Sequence, residues 1–203
     1  MLEKLSLTVR RGASEDIPIR VESDVLVYVD ITGIAASAPI SITAPAHGLT
    51  DGWRAAVMNS GVPEIDTNWD DPLDDALRRI TWIDADTIEF NDVNGISFTP
   101  YTAGGQLVYR EPLDLSQFVE ARMNVKASVT GPILATYKHT TGELLIDMVT
   151  KALRLTLDTT DTSALTAGKR VFDIEMVRAD GSVFPICSAK SALTVLPEIT
   201  TSA

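Results

Sequence analysis

Apolar residues recur at every second position along most of this chain. That spacing places them on one face of a strand, because successive strand side chains point to opposite faces. Leu5, Leu7 and Val9 alternate with Ser6, Thr8 and Arg10, and Ile17, Ile19 and Val21 alternate with Pro18, Arg20 and Glu22. Proline cannot donate to a ladder, so the second strand is expected at a sheet edge, or begins with Pro18 facing away from its partner. Val119, Ala121, Met123, Val125 and Ala127 predict a longer strand with this set in the core. Three further strands follow from Leu144, Ile146 and Met148, from Leu153, Leu155 and Leu157, and from Phe172, Ile174 and Met176.

Turn residues set the connections. Asp180-Gly181 between Phe172–Arg178 and Ser182–Ser188 predicts a hairpin closed by a type I′ turn, and Thr141-Gly142 predicts a second hairpin between Pro132–Lys138 and Leu144–Met148. Helical spacing is confined to Leu73, Ala76, Leu77 and Ile80 after Pro72, and to Asp161–Leu165; neither stretch is long enough to stand alone. Many short strands without interleaved helices predict a sandwich or barrel rather than a parallel α/β sheet.

The middle of the chain has its own texture. All three tryptophans, Trp53, Trp69 and Trp82, fall between Ile34 and Tyr109. Strands are expected there at Pro39–Thr43, Trp53–Met58, Arg79–Ile83, Thr87–Asn91 and Gln106–Tyr109. Turns are expected at His47-Gly48, Asp84-Ala85-Asp86, Asn94-Gly95 and Gly104-Gly105. With Gly33–Pro39 and Arg110–Pro112 as linkers, residues 33–109 are expected to form a module of their own.

Composition narrows the function classes. With 203 residues and 45% hydrophobic side chains the chain has enough apolar material for a core. The 28 acidic residues against 17 basic ones give a formal charge of −11, which repels a phosphate backbone and argues against nucleic-acid binding. Cys187 is the single cysteine, which excludes an internal disulfide and a Cys-rich zinc site and suggests a reducing compartment. No secretion signal or apolar run of membrane-spanning length is read from the sequence, so no membrane insertion is expected.

Residues able to support catalysis are few. His47 in Pro45-Ala46-His47-Gly48 reads as a turn residue rather than a ligand or catalyst, and His139 beside Thr140-Thr141-Gly142 as a solvated side chain. Neither has a third ligand at zinc spacing. Cys187 reads as a small buried hydrophobe. Gly104-Gly105 and Gly168-Lys169-Arg170 lack phosphate-loop spacing. The acidic stretch Asp66 to Asp75 fails the EF-hand pattern, because Pro72 stands at position 3 and Asp75 at position 6 counted from Asp70. It reads as a solvated loop with helix-capping aspartates, a looser calcium site being the alternative. Trp53 and Trp82 lie in alternating strands, where core or rim packing is expected. Trp69 lies in a loop and is the candidate partner contact. No catalytic residue, cofactor site or metal site is assigned, and an enzyme is not expected.

Ile42-Thr43-Ala44-Pro45-Ala46-His47-Gly48-Leu49, then Asp51-Gly52, Ile83–Phe90 and Tyr101–Gly105, resemble a small β-barrel module common in phage and prophage tail proteins. The module is named after the first catalytic cysteine half-domain of ubiquitin-activating enzymes. The resemblance implies no ubiquitin chemistry, since Cys187 lies outside it. The flanks, Leu5–Gly12, Leu113–Ser116 leading into Ala121–Met123, and Asp173–Glu175 leading into Asp180-Gly181, resemble the immunoglobulin-like N-terminal domain of baseplate upper proteins.

The implied fold is an all-β, antiparallel immunoglobulin-like β-sandwich, one discontinuous domain over residues 1–32 and 110–203, with residues 33–109 as an inserted small β-barrel module. The implied role is a structural virion component of a tailed bacteriophage or prophage, in the baseplate, tail tip or fibre attachment. Such a protein would be assembled in the bacterial host cytoplasm, with other tail proteins and copies of itself as partners. A carbohydrate-binding adhesion module contacting the host envelope through Trp69 is the alternative. Because the sequence stops at Ala203, soon after the sandwich, no fibre shaft or receptor-binding tip is expected.

Overall fold

The structure, a computed structural model, describes residues 5–67, 76–187 and 190–198. The protein is all-β and divides into two compact units: residues 1–21 with 114–203, and residues 22–113.

The first unit is a sandwich of two sheets. Strands β1 (Ser6–Arg10), β2 (Glu15–Arg20), β11 (Phe118–Lys126), β12 (Ile133–Lys138), β13 (Leu144–Asp147), β14 (Ala152–Leu157), β15 (Gly168–Arg178), β16 (Val183–Pro185) and β17 (Ser191–Leu196) belong to it. The larger sheet runs β1-β17-β15-β11-β12, with β16 also on β15, and the smaller runs β13-β14-β2. Naming β2, β11, β12, β13, β14, β15 and β17 as B, C, C′, D, E, F and G gives D-E-B facing C′-C-F-G, the strand order of an immunoglobulin sandwich. One pairing departs from the antiparallel expectation: β1 lies parallel to β17, Val9 beside Val195. Pro18 stands on an edge strand, since among the described residues β2 pairs with β14 alone.

Alternation delivers the core. Ala121, Met123, Val125, Leu144, Leu153, Leu155, Phe172, Ile174 and Met176 are all buried. Outward positions on the larger sheet are joined across strands, Arg122 to Glu175 at 2.8 Å and Asn124 to Thr136 at 3.0 Å. Helix α1 (Thr159–Ala164) opens on a capping box, in which Asp158 accepts from Thr160 and Asp161 N–H and Asp161 accepts from Asp158 N–H.

Five sequence expectations change. Val119 is exposed rather than core, because a β-bulge between Phe118 and Glu120 ejects it and Phe118 takes the inward place. Ala127 and Met148 fall beyond the ends of β11 and β13 and are also exposed. Asp180-Gly181 does join β15 to β16, but only Gly181 has positive φ, +82°. The loop is the three-residue kind closed by Gly181 N–H to Arg178 O and Arg178 N–H to Ser182 O. Thr141-Gly142 makes no hairpin: β12 and β13 belong to different sheets, and the turn carries the chain across the sandwich.

Tyr137 on β12 faces inward opposite Met123 and is 5% exposed. Burial, reinforced by the charges of Asp161 and Glu143, pushes its phenol up to about 12 from 10.0. The folded state therefore holds this proton more tightly than the unfolded chain does. Its contribution is complete below pH 10.0 and is lost as the pH rises through about 12. Urea midpoints followed over that range should fall in the wild type and fall less in Tyr137→Phe.

The second unit contains β3 (Glu22–Asp30), β4 (Gly33–Ala35), β5 (Ile40–Thr43), β6 (Arg54–Met58), β7 (Arg78–Arg79), β8 (Thr81–Trp82), β9 (Thr87–Phe90) and β10 (Gln106–Pro112). One sheet runs β3-β10-β6-β7 and the other β4-β5-β9-β8. Two bends join them into a barrel. At the first, Ile31 N–H bonds Gly105 O while Thr32 N–H bonds Thr43 O, so β3 continues as β4 from one sheet into the other. At the second, Ile80 N–H bonds Trp53 O, and the next residue, Thr81, already pairs with Glu89 on β9.

The expected linkers are strands. Gly33–Ala35 is β4, and Arg110–Pro112 is the end of β10. The compact unit accordingly begins at Glu22 and ends at Leu113 instead of spanning 33–109, because β3 pairs with β10 as far as Pro112 opposite Glu22. The short helix expected from Leu73 starts outside the described residues.

Candidate interaction surface

The chemistry-bearing residues of the barrel are tied into its scaffold. His47 is buried, and its ring bridges two segments: Nδ1 accepts from Leu49 N–H at 3.1 Å, and Nε2 lies 3.1 Å from the Asp84 carbonyl. A carbonyl can only accept, so Nε2 carries the proton. The His47 carbonyl in turn accepts from the Tyr109 hydroxyl at 2.5 Å, and burial, with Glu111 nearby, raises that phenol. This arrangement positions the Pro45–Leu49 turn against β10 and leaves neither ring nitrogen available to a ligand.

Other sequence candidates divide between scaffold and surface. His139 is half-buried rather than fully solvated, its Nδ1 accepting from Ile146 N–H at 3.3 Å and so bracing the crossing from β12 to β13. Cys187 is buried and burial pushes its thiol up, which suits a packing role. Gly168–Arg170 form the start of β15. Asp66 closes its loop by accepting from Ser60 N–H, Ser60 Oγ and Gly61 N–H. Trp69 and Asp70–Asp75 lie outside the described residues. Among the described residues no group of three or more His, Cys, Asp or Glu is placed to hold a metal ion.

The tryptophans separate cleanly. Trp53 is fully buried in the barrel core with Ile40, Ile42, Ile88 and Phe90, and its Nε1–H donates to Arg110 O at 3.0 Å. Trp82, opposite the buried Ile88, sits on the rim and is 44% exposed.

Exposed apolar side chains on the sandwich concentrate at its open strands. Among the described residues each of β12 and β13 pairs on one side only. Ile133 and Leu134 at the start of β12, and Leu145, Met148 and Val149 on and after β13, are exposed, Val149 at 85%. Periodicity could not have indicated Ile133 and Leu134, because a register shift where β12 meets Lys126 turns adjacent residues outward together. A smaller feature lies where Arg178 sits 5.0 Å from the Phe118 ring and 5.3 Å from the Phe184 ring, with Gln117 accepting from its Nε at 3.0 Å.

Comparison with protein-family models and with curated proteins finds no match to this chain. No helix among the described residues is long and apolar enough to cross a membrane.

Proposed function

We propose that this chain is a structural component of a tailed bacteriophage or prophage virion, a baseplate, tail-tip or fibre-attachment protein that works by protein–protein assembly rather than catalysis. The observation that supports this most is the pair of open sandwich strands, β12 and β13, flanked by exposed Ile133, Leu134, Leu145, Met148 and Val149. Unpaired strand edges are a hazard in a protein that works alone and an adhesive in one that assembles. The resemblance of the barrel and of the sandwich flanks to phage tail modules points the same way. In this reading the partners are copies of the chain and neighbouring tail proteins.

Light scattering of the purified chain should show self-association. Val149→Asp combined with Ile133→Asp should weaken it at least about tenfold, since each places an unpaired charge in a contact that would be dry. Mass spectrometry of purified tail particles from a host carrying the gene should detect the chain. A chain that is monomeric at every concentration and missing from such particles would sink the proposal.

A further inference from the structure

The two units differ sharply in charge. Residues 22–113 hold 15 of the 28 acidic side chains and 4 of the 17 basic ones, a net −11, whereas the rest of the chain holds 13 of each and is neutral. The whole formal charge of the protein therefore resides in the barrel. Two of its four arginines are already committed to acids, Arg54 to Glu22 at 2.6 Å and Arg78 to Asp92 at 2.7 Å.

On one rim of this acidic unit an apolar pair is displayed. Every residue from Trp82 to Asp86 is exposed, and Trp82 and Ile83 each show 44% of their surface. The segment is well braced. Trp82 N–H donates to Asp51 Oδ1 at 3.0 Å, Asp86 N–H to Asp84 Oδ1 at 2.9 Å, and Ala46 N–H to Asp86 Oδ1 at 2.8 Å. The ring and the aliphatic chain are thus held out on an ordered turn, with three carboxylates fixed beside them. Pre-organisation of this kind lowers the entropy that binding must overcome.

We propose that the Trp82–Asp86 rim is a docking surface for a basic segment of a partner protein, an Arg or Lys lying over the Trp82 ring while neighbouring cations meet Asp51, Asp84 and Asp86. Trp is the best cation–π acceptor and is enriched at the energetic centres of interfaces. The field of the whole barrel would steer a cationic partner toward it and repel phosphate-bearing polymers and the barrel of a second copy. The inference gives the assembly reading a partner class and rests on it only for the partner being a protein.

The test uses the full chain and labelled ten-residue peptides, one of alternating Arg and Gly and one of alternating Glu and Gly, with a chito-oligosaccharide as third probe, followed by fluorescence anisotropy or calorimetry. The expected result is that the cationic peptide alone binds, with affinity falling as salt rises. Trp82→Ala, which leaves the charge untouched, should weaken binding about tenfold. Asp84→Asn with Asp86→Asn retains the Oδ1 acceptors of the turn and should weaken binding while flattening its salt dependence, circular dichroism confirming the fold of each variant. Three results would overturn the proposal: no binding of the cationic peptide, cationic binding indifferent to Trp82→Ala, or oligosaccharide binding that Trp82→Ala abolishes. Self-association through the sandwich is read separately by light scattering, so failure of the assembly reading and failure of this one are distinguishable.

Discussion

Replacing Trp53 by alanine is expected to destabilise the barrel by about 3–5 kcal/mol, the range for removing a large aromatic from a packed core. Trp53 is fully buried, and the core around it includes Ile40 and Ile42 of β5, Ile88 and Phe90 of β9, and Leu107 and Tyr109 of β10. Few of these can move inward to fill the space, because each is fixed by its own ladder. The substitution also strands a hydrogen-bond acceptor, since Trp53 Nε1 donates to the Arg110 carbonyl at 3.0 Å. Trp53→Phe restores most of the volume without the donor and should cost less, about 1–3 kcal/mol. Urea denaturation measures both. Hydrogen exchange locates the effect, with amides of β6, β9 and β10 expected to lose protection while those of β11 and β15 keep theirs.

Gly105→Ala is expected to be of comparable size for a different reason. Gly105 has φ +85°, where a Cβ costs about 1–2 kcal/mol. The added Cβ would also stand 2.5 Å from Ser60 Cα and 2.9 Å from Ser60 N. Ser60 cannot retreat. It is fully buried, its N–H and hydroxyl both donate to Asp66 Oδ1, and its Oγ accepts from Val62 N–H. Overpacking against fixed backbone adds about 1–3 kcal/mol. The Gly105 carbonyl accepts from Ile31 N–H at the bend where β3 becomes β4, so the strain falls on barrel closure. Gly104 is the internal control. Its φ is +87°, but the nearest atom to an added Cβ is Asn59 O at 4.0 Å, so Gly104→Ala should cost only the conformational part. Thermal melts of the two variants side by side check the difference.

Much of the fold was legible because a strand advertises itself locally. The core sets on β14 and β15 read directly from period 2, since each strand buries one face and no other element competes for it. Pro18 pointed to an edge for β2 by a purely local chemical fact, its missing N–H. The misses share a cause. Val119, Met148, Ile133 and Leu134 sit at bulges or just past strand ends, where register changes parity and alternation no longer reports the inward face. The pattern of β3 is too shallow to mark a strand, since Val27 and Val29 pack against the barrel core while Val25 and Tyr28 are exposed, and β4 beside it reads as a linker.

For the candidate surface, the sequence directed attention to Trp69 and the structure to Trp82. Both are tryptophans of the same unit, and the strand position of Trp82 predicts core or rim packing, of which the structure selects the rim. Trp82 lies at the end of its two-residue strand and is 44% exposed there.

By itself, the sequence determined the all-β class, the exclusion of an internal disulfide, the acidic charge and the distinct texture of the middle region. Each of these depends on residue identity or on neighbours two positions away. Tertiary structure alone decided where the inserted unit begins and ends, that β1 runs parallel to β17, that Thr141-Gly142 crosses between sheets, and which apolar side chains remain outside. These depend on pairings between strands far apart in the chain, such as β3 with β10 across Asp30 and Gln106. Local periodicity fixes which face of a strand is apolar, and only the distant partner fixes what that face meets.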